Sequence, residues 1–191
     1  MIDGCYTLQQ NHFNMKKQIF SILGIIIMFA VSSCNDQRRA KNYNDKTLAD
    51  LEAINFVNKG IGGSLTEIKA AKIAKSRSLN PRIIAFADMM ITDHNSVANQ
   101  LKKIQTDKLI TDRNGITPEH EKMLAELSAK SGVEFDKAYM KMMVEDHEKD
   151  IELFESVAHN TSATIQDFAE KTLPTLHKHL DSAKEINSSL K

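Results

Sequence analysis

The chain has 191 residues, a formal net charge of zero, few aromatic residues and no tryptophan. Its charged residues alternate in sign and form no basic block, which argues against nucleic-acid binding. The low glycine and proline content and the abundance of good helix formers favour an all-α domain over a β-sandwich. Both cysteines, Cys5 and Cys34, precede the folded part, so the sequence excludes a disulfide framework or a thiolate metal site from the core.

The N-terminal region has the organisation of an exported lipoprotein. Met15 is followed by two lysines, an apolar run that ends at Val31, and Ser32-Ser33-Cys34. This order is typical of a signal peptide, and the run is too short to span a membrane comfortably. Val-Ser-Ser-Cys also resembles a bacterial lipobox. The resulting interpretation is an upstream misannotation over 1–14, a signal peptide over 15–33, lipidation of Cys34, and a flexible tether over 34–46.

Two alternatives to a lipoprotein stay open from the sequence, an uncleaved N-terminal anchor and a secreted protein cut elsewhere. A lipidated Cys34 would make the membrane the one partner that the sequence predicts. Asn35 stands where an aspartate would resemble an inner-membrane retention signal. We therefore expect a lipid-anchored protein on the outer membrane, facing the periplasm.

Five helices are predicted in the remainder of the chain. Apolar residues recur at helical spacing, and Asn80-Pro81 and Thr117-Pro118 supply start signals. The predicted helices cover about 47–78, 81–103, 117–131, 135–159 and 163–190. The glycines between Gly60 and Gly63 predict a local break or a close backbone approach in the first helix. Pro174 predicts a kink or an unpaired backbone carbonyl in the last one.

Two histidines lie where apolar core residues are expected. The sequence Met-Met-x-x-Asp-His occurs twice, ending at His94 and at His147. Around each copy, apolar residues recur at alternating steps of three and four, and the histidine falls on the same face. Two histidines on two buried faces are the first indication of a site.

The four long helices also form two similar halves. Glu67 follows Phe56 at nearly the distance that separates His147 from Phe135, and His94 and His177 follow two further phenylalanines at similar distances. In an antiparallel bundle of four helices these positions converge at mid-core. His179 lies about 200° around the helix from His177 and is therefore expected to face solvent.

The motifs at these positions resemble one family. They are Glu67-Ile68, Met90-x-x-Asp93-His94, Phe135-Asp136-x-x-Tyr139, Met143-x-x-Asp146-His147 and Leu173-Pro174-x-x-His177. The family is domain of unknown function 4142, and the resemblance extends from about Leu51 to Ala183. It implies a ferritin-like four-helix bundle with a short extra helix between the second and third long helices. It implies no established biochemical activity.

The chemistry of these residues points to a metal site. The candidate ligands are Glu67, His94, His147 and His177, and carboxylate and imidazole ligands on facing helices suit Fe, Mn, Zn or Cu. Asp93 and Asp146 are expected to fix imidazole tautomers on neighbouring helices. The chain lacks the two Glu-x-x-His pairs that are typical of a ferritin di-iron site, so we do not expect ferritin chemistry.

Three functions follow as hypotheses. The first is an envelope lipoprotein that binds or buffers a transition metal. The second is a structural or stress-related envelope protein whose Glu/His cluster is only a buried polar network. The third, and least expected, is a metal-dependent oxidase or peroxide-handling enzyme. The sequence contains no nucleophile with its base, phosphate loop or dinucleotide fingerprint, so no catalytic residue is predicted.

Overall fold

The computed structural model describes residues 50–113, 115–160 and 162–190, and over these the chain is all-α, without a strand. The helices are α1 (Leu51–Arg77), α2 (Pro81–Asp107), α3 (Pro118–Ser128), α4 (Gly132–Ser156) and α5 (Ala163–Ser189). None of these described helices is long and apolar enough to cross a membrane. The predictions for 1–14, 15–33 and 34–46, including lipidation of Cys34, lie outside the described residues.

The predicted start signals at Asn80-Pro81 and Thr117-Pro118 are confirmed, whereas α1 begins at Leu51 rather than at about 47 and α4 at Gly132 rather than at about 135. The side chain of Asn80 accepts a hydrogen bond from the backbone N–H of Arg82 at 3.0 Å, and that of Thr117 accepts one from His120 at 3.2 Å. These caps satisfy N–H groups that have no partner inside the helix. The end of α2 lies at Asp107, later than predicted, because Ile104 continues its buried face.

Two apolar clusters form the core. We call one the phenylalanine cluster, since it contains Phe56, Phe154 and Phe168, and the other the methionine cluster, since it contains Met90, Met140 and Met143. The beginnings of α1 and α5 and the ends of α2 and α4 contribute to the phenylalanine cluster. The opposite parts of α1, α2 and α4, with the end of α5, contribute to the methionine cluster.

Each long helix contacts two other long helices. Helix α1 packs on α2 and α4, and α5 packs on the same two helices. The short helix α3 packs on α1 and α4. The space enclosed by the four long helices is therefore lined by one face of each.

The glycines of α1 allow close approach rather than a break. Helix α1 continues without interruption through Gly60, Gly62 and Gly63. A Cβ atom on Gly60 would lie 2.8 Å from Cδ1 of Leu101, and one on Gly62 would lie 3.1 Å from the backbone oxygen of Gly115. Of the two predicted alternatives, close approach is thus confirmed and the break is wrong.

Candidate metal centre

Polar side chains from all four long helices meet between the two apolar clusters. Glu67 of α1, His94 of α2 and His147 of α4 are 1%, 1% and 0% exposed, and His179 of α5 is 2% exposed. On α1, α2 and α4, residues of the phenylalanine cluster lie to one side in sequence and residues of the methionine cluster to the other, and on α5 His179 lies near the change from one cluster to the other. The sequence therefore interrupts its own core with one polar layer.

The prediction that His177 lies in the core is wrong, and so is the expectation that His179 faces solvent. His177 is exposed and His179 is buried. The buried face of α5 passes through Leu176 and Ala183, and His179 falls between them at steps of three and four. The same helical periodicity that identified His94 and His147 therefore identifies His179 as well.

Hydrogen bonds fix the tautomers of two of the buried histidines. Nδ1 of His147 donates to the carbonyl oxygen of Met143 at 2.8 Å, and Nε2 of His179 donates to Oδ2 of Asp93 at 2.9 Å. Carbonyl and carboxylate oxygens only accept, so the proton of each neutral ring is on the nitrogen named. The other nitrogens, Nε2 of His147 and Nδ1 of His179, carry lone pairs. These two nitrogens lie 3.4 Å apart.

Two facing lone pairs can take up a proton or a metal ion between them. Burial and, to a smaller extent, the neighbouring His94 and His179 lower the pKa of His147 to about 3, and the hydrogen bond to Met143 offsets only part of this effect. Burial also lowers the pKa of His179, although its bond to Asp93 acts in the opposite direction. A bridging proton is therefore disfavoured at neutral pH, and both lone pairs are available to a cation.

The spacing of the two nitrogens suits a metal ion. Two ligands at 2.0–2.1 Å from a tetrahedral ion stand roughly 3.3 Å apart. The separation between Nε2 of His147 and Nδ1 of His179 is 3.4 Å. An ion placed between these rings would thus need little rearrangement of either side chain.

His94 completes a group of three imidazoles. One nitrogen from each of His94, His147 and His179 lies within 4.8 Å of the others. The ring of His94 is 5.4 Å from that of His147 and 5.6 Å from that of His179, centroid to centroid. Burial lowers the pKa of His94 as well. Neither of its nitrogens has an aligned hydrogen-bond partner within the described residues.

Glu67 faces two of these rings without an aligned hydrogen bond to either. Its Oε2 lies 2.8 Å from Nδ1 of His94 and its Oε1 lies 3.2 Å from Nδ1 of His147. Neither oxygen accepts an aligned hydrogen bond from an N–H group in the described part of the chain, and the one side-chain partner of the carboxyl group there is the carboxyl group of Asp150. Burial raises the pKa of Glu67 well above its usual value, and the charge of Asp146 adds to this effect.

Asp150 is a further acid at the site that the sequence reasoning missed. One oxygen each of Glu67 and Asp150 and one nitrogen of His94 lie within 4.8 Å of one another. Burial raises the pKa of Asp150 and the charge of Glu67 raises it further. The signal in the sequence was its position three residues after His147, on the neighbouring part of the same helical face.

The two aspartates that were expected to orient imidazoles behave differently. Asp93 accepts a hydrogen bond from an imidazole of another helix, that of His179 rather than His177. Asp146 forms an ion pair with Lys149, with 3.9 Å between Oδ1 and Nζ, and its side chain is 14% exposed. Asp146 acts on the site through its negative charge, which raises the pKa values of Glu67 and Asp150.

A cavity of about 620 Å³ reaches the acidic side of this site. Glu67, Asp146 and Asp150 line it from α1 and α4, and His120 lines it from α3. Gly62 and Gly63 also line it, and their lack of side chains leaves this space free. The carboxyl groups are thus in contact with a space that can hold water, whereas the three imidazoles lie beyond them.

Comparison with known proteins identifies one family. The family model described as Domain of unknown function (DUF4142) matches residues 37–186. No curated protein and no solved structure matches the chain.

Proposed function

Since the chain belongs to the DUF4142 family, whose description names no activity, we propose a function from the site: the protein binds a transition-metal ion through His94, His147 and His179. The observation that carries this proposal is that Nε2 of His147 and Nδ1 of His179 direct their lone pairs towards each other. Each ring is held by an acceptor on its other nitrogen, which is how proteins usually orient imidazole ligands.

The donor set narrows the choice of ion. Three neutral imidazoles suit Zn²⁺, Cu⁺ or Cu²⁺ and Fe²⁺ better than the harder cations. Met90 and Met143 are fully buried one turn before His94 and His147, and a thioether would add to a preference for Cu⁺. Elemental analysis of protein purified from its native envelope would identify the ion that is bound.

The experiment is a titration of the metal-free full-length protein with Co²⁺, which reports tetrahedral coordination through its visible absorption bands. We expect one Co²⁺ per chain in the wild type. Removing an outer partner of a ligating histidine typically weakens binding 10–100-fold, so loss of a ligand should weaken it by at least about 100-fold. His179→Ala and His147→Asn should both show this loss.

His177→Ala is the matched control, because His177 lies on the same helix but is exposed. It should bind Co²⁺ as the wild type does. Equal losses in His177→Ala and His179→Ala would contradict the proposed ligand set. A protein that takes up no metal under any condition would favour the alternative, in which the Asp93–His179 bond and its neighbours serve only to connect helices.

The cellular setting that we propose is the bacterial envelope. A lipidated Cys34 would anchor the domain to the outer membrane, with the metal site in the periplasm. The proposal rests on the signal-peptide and lipobox patterns of residues 15–34. Radiolabelled palmitate incorporation in the wild type, and its loss in Cys34→Ala, would test it.

We further propose that the four long helices form an antiparallel bundle of ferritin-like type. Two features support this arrangement. The beginnings of α1 and α5 share a cluster with the ends of α2 and α4, and each long helix contacts two others. A metal site at mid-height between four facing helices is a common use of such bundles.

A further inference from the structure

We infer that Glu67 and Asp150 form a second cation site, distinct from the three imidazoles, which takes a divalent ion that prefers oxygen ligands. The geometry brings one oxygen of each acid and one nitrogen of His94 within 4.8 Å of one another. Mn²⁺ is the natural probe, because carboxylate and water ligands suit Mg²⁺, Ca²⁺ and Mn²⁺. The inference rests on the proposed function in one respect: a neutral His94 has a single lone pair, which serves the first ion, so its other nitrogen keeps its proton and the two carboxylates are the protein ligands of the second ion.

The unsatisfied atoms at this position are the first argument. Glu67 is 1% exposed, its oxygens accept no aligned hydrogen bond from an N–H group of the described residues, and its one side-chain partner among them is the second acid, Asp150. His94, equally buried, directs Nδ1 to within 2.8 Å of Glu67 without forming an aligned hydrogen bond. Leaving a buried polar atom unpaired costs about 1–3 kcal/mol. A cation bound by the Glu67 oxygens would satisfy them.

Charge balance is the second argument. When ionised, Glu67 and Asp150 carry two negative charges side by side at the wall of the cavity, and one divalent cation cancels both. Without a cation, the two carboxyl groups are partners in a side-chain hydrogen bond, which a shared divalent ion would replace. The positive charge of Lys149 is engaged 3.9 Å from Asp146 and does not take this role.

Access and coordination number are the third argument. Both acids line the cavity of about 620 Å³, whereas none of the three imidazoles that we assign to the first ion does. An oxygen-preferring ion takes six or more ligands, so two carboxylates need several waters beside them. The cavity supplies the room for these waters. It also gives the ion a route from solvent.

The experiment counts Mn²⁺ bound to the full-length protein by electron paramagnetic resonance, since the signal of free Mn²⁺ is lost on binding. The protein is first loaded with one equivalent of Zn²⁺ to fill the three-histidine site. We expect the wild type to bind one Mn²⁺ per chain in addition. Glu67→Gln and Asp150→Asn, which keep the size of the side chains, should each weaken Mn²⁺ binding by more than tenfold and leave Zn²⁺ bound.

Glu152→Gln is the matched control. Glu152 also lines the cavity on α4 but is exposed, and its substitution removes the same charge. It should leave Mn²⁺ binding unchanged. If Glu152→Gln weakens binding as much as Asp150→Asn, the cavity attracts cations only through its overall charge and the inference is overturned. Absence of a bound Mn²⁺ in the wild type overturns it as well.

Two further measurements separate this inference from the proposed function. His179→Ala should lose the first ion and keep Mn²⁺, so failure at either site is recognised on its own. In isotope-labelled wild-type protein, Mn²⁺ should broaden the amide signals of Gly62 and Gly63 most strongly, which requires no variant to fold. Broadening centred elsewhere would place the ion outside this site.

Discussion

The metal-free protein should lose stability in mild acid because of His147. Burial lowers its pKa to about 3, whereas an unfolded chain returns it to about 6.5. As pH falls below 6.5 the unfolded state binds the proton first, so stability is complete above that pH and is lost towards pH 3. A difference of one pKa unit between the folded and unfolded states corresponds to 1.36 kcal/mol, so the free energy of unfolding should fall by about 3 kcal/mol between pH 7 and pH 4.

His147→Asn isolates this contribution. The amide nitrogen of asparagine stands near the position of Nδ1, so it can keep the hydrogen bond to the Met143 carbonyl while nothing titrates. The assay is urea unfolding with a chelator at pH 7, 5.5 and 4, and the quantity compared is the change in unfolding free energy with pH. The variant should lose about 3 kcal/mol less than the wild type. His177→Asn, at an exposed position, should follow the wild type.

Parallel pH profiles for the wild type and His147→Asn would refute this reasoning. They would mean that His147 is protonated in the folded protein at pH 4, with its charge compensated by a group such as Glu67 at 3.2 Å. A lower stability of the variant at every pH would not count against the prediction, because a smaller side chain leaves a cavity whose cost does not depend on pH.

Three further outcomes are expected. Asp93→Ala should weaken metal binding about 10–100-fold in the Co²⁺ titration, because it removes the acceptor that orients His179. Glu67→Gln should raise the melting temperature of the metal-free protein at neutral pH. The pKa of Glu67 is higher in the folded than in the unfolded protein, so the folded protein loses stability as the pH rises above the pKa of the unfolded state. Glutamine does not ionise and avoids this loss. Gly60→Ala should leave the melting temperature nearly unchanged, because its Cβ would lie 2.8 Å from Cδ1 of Leu101, the end of a flexible side chain, and the cost of moving that atom is offset by a helix-propensity gain of about 1 kcal/mol.

Helical periodicity predicted most of the fold and part of the site. It placed the cores of all five helices correctly, and it placed His94 and His147 on buried faces because their apolar neighbours are spaced by three and four. The comparison of the two halves predicted the wrong histidine, His177. It counted residues from Phe168 and assumed that Pro174 shifts the helical register by one residue. Helix α5 continues through Pro174, so its period is kept and His179 takes the buried position.

Asp150 was hidden by its neighbours. Charged residues fill most positions from Glu145 to Asp150, and such a run is typical of a solvated helix face. Asp150 nevertheless belongs to the site because of the neighbouring helix α1. Gly62 and Gly63 of α1 leave a cavity next to Asp150, and Glu67 lies at the inner end of this cavity. Neither contact can be read from α4 alone, because both depend on the pairing of α4 with α1.

The pattern of unsatisfied atoms argues that this polar layer is not maintained for stability. A purely structural network is stabilising only when its members are all paired. Here both nitrogens of His94 are without aligned partners among the described residues, and the carboxyl group of Glu67 is paired only with that of Asp150, an acid like itself. Each such atom costs about 1–3 kcal/mol, and apolar replacement of buried polar clusters is often neutral or stabilising. The neighbouring core shows that these helices pack apolar side chains well, since the rings of Phe56 and Phe154 pack edge to face with 4.9 Å between their centroids. Retaining one polar layer in such a core is explained most directly by cations that take up its free lone pairs.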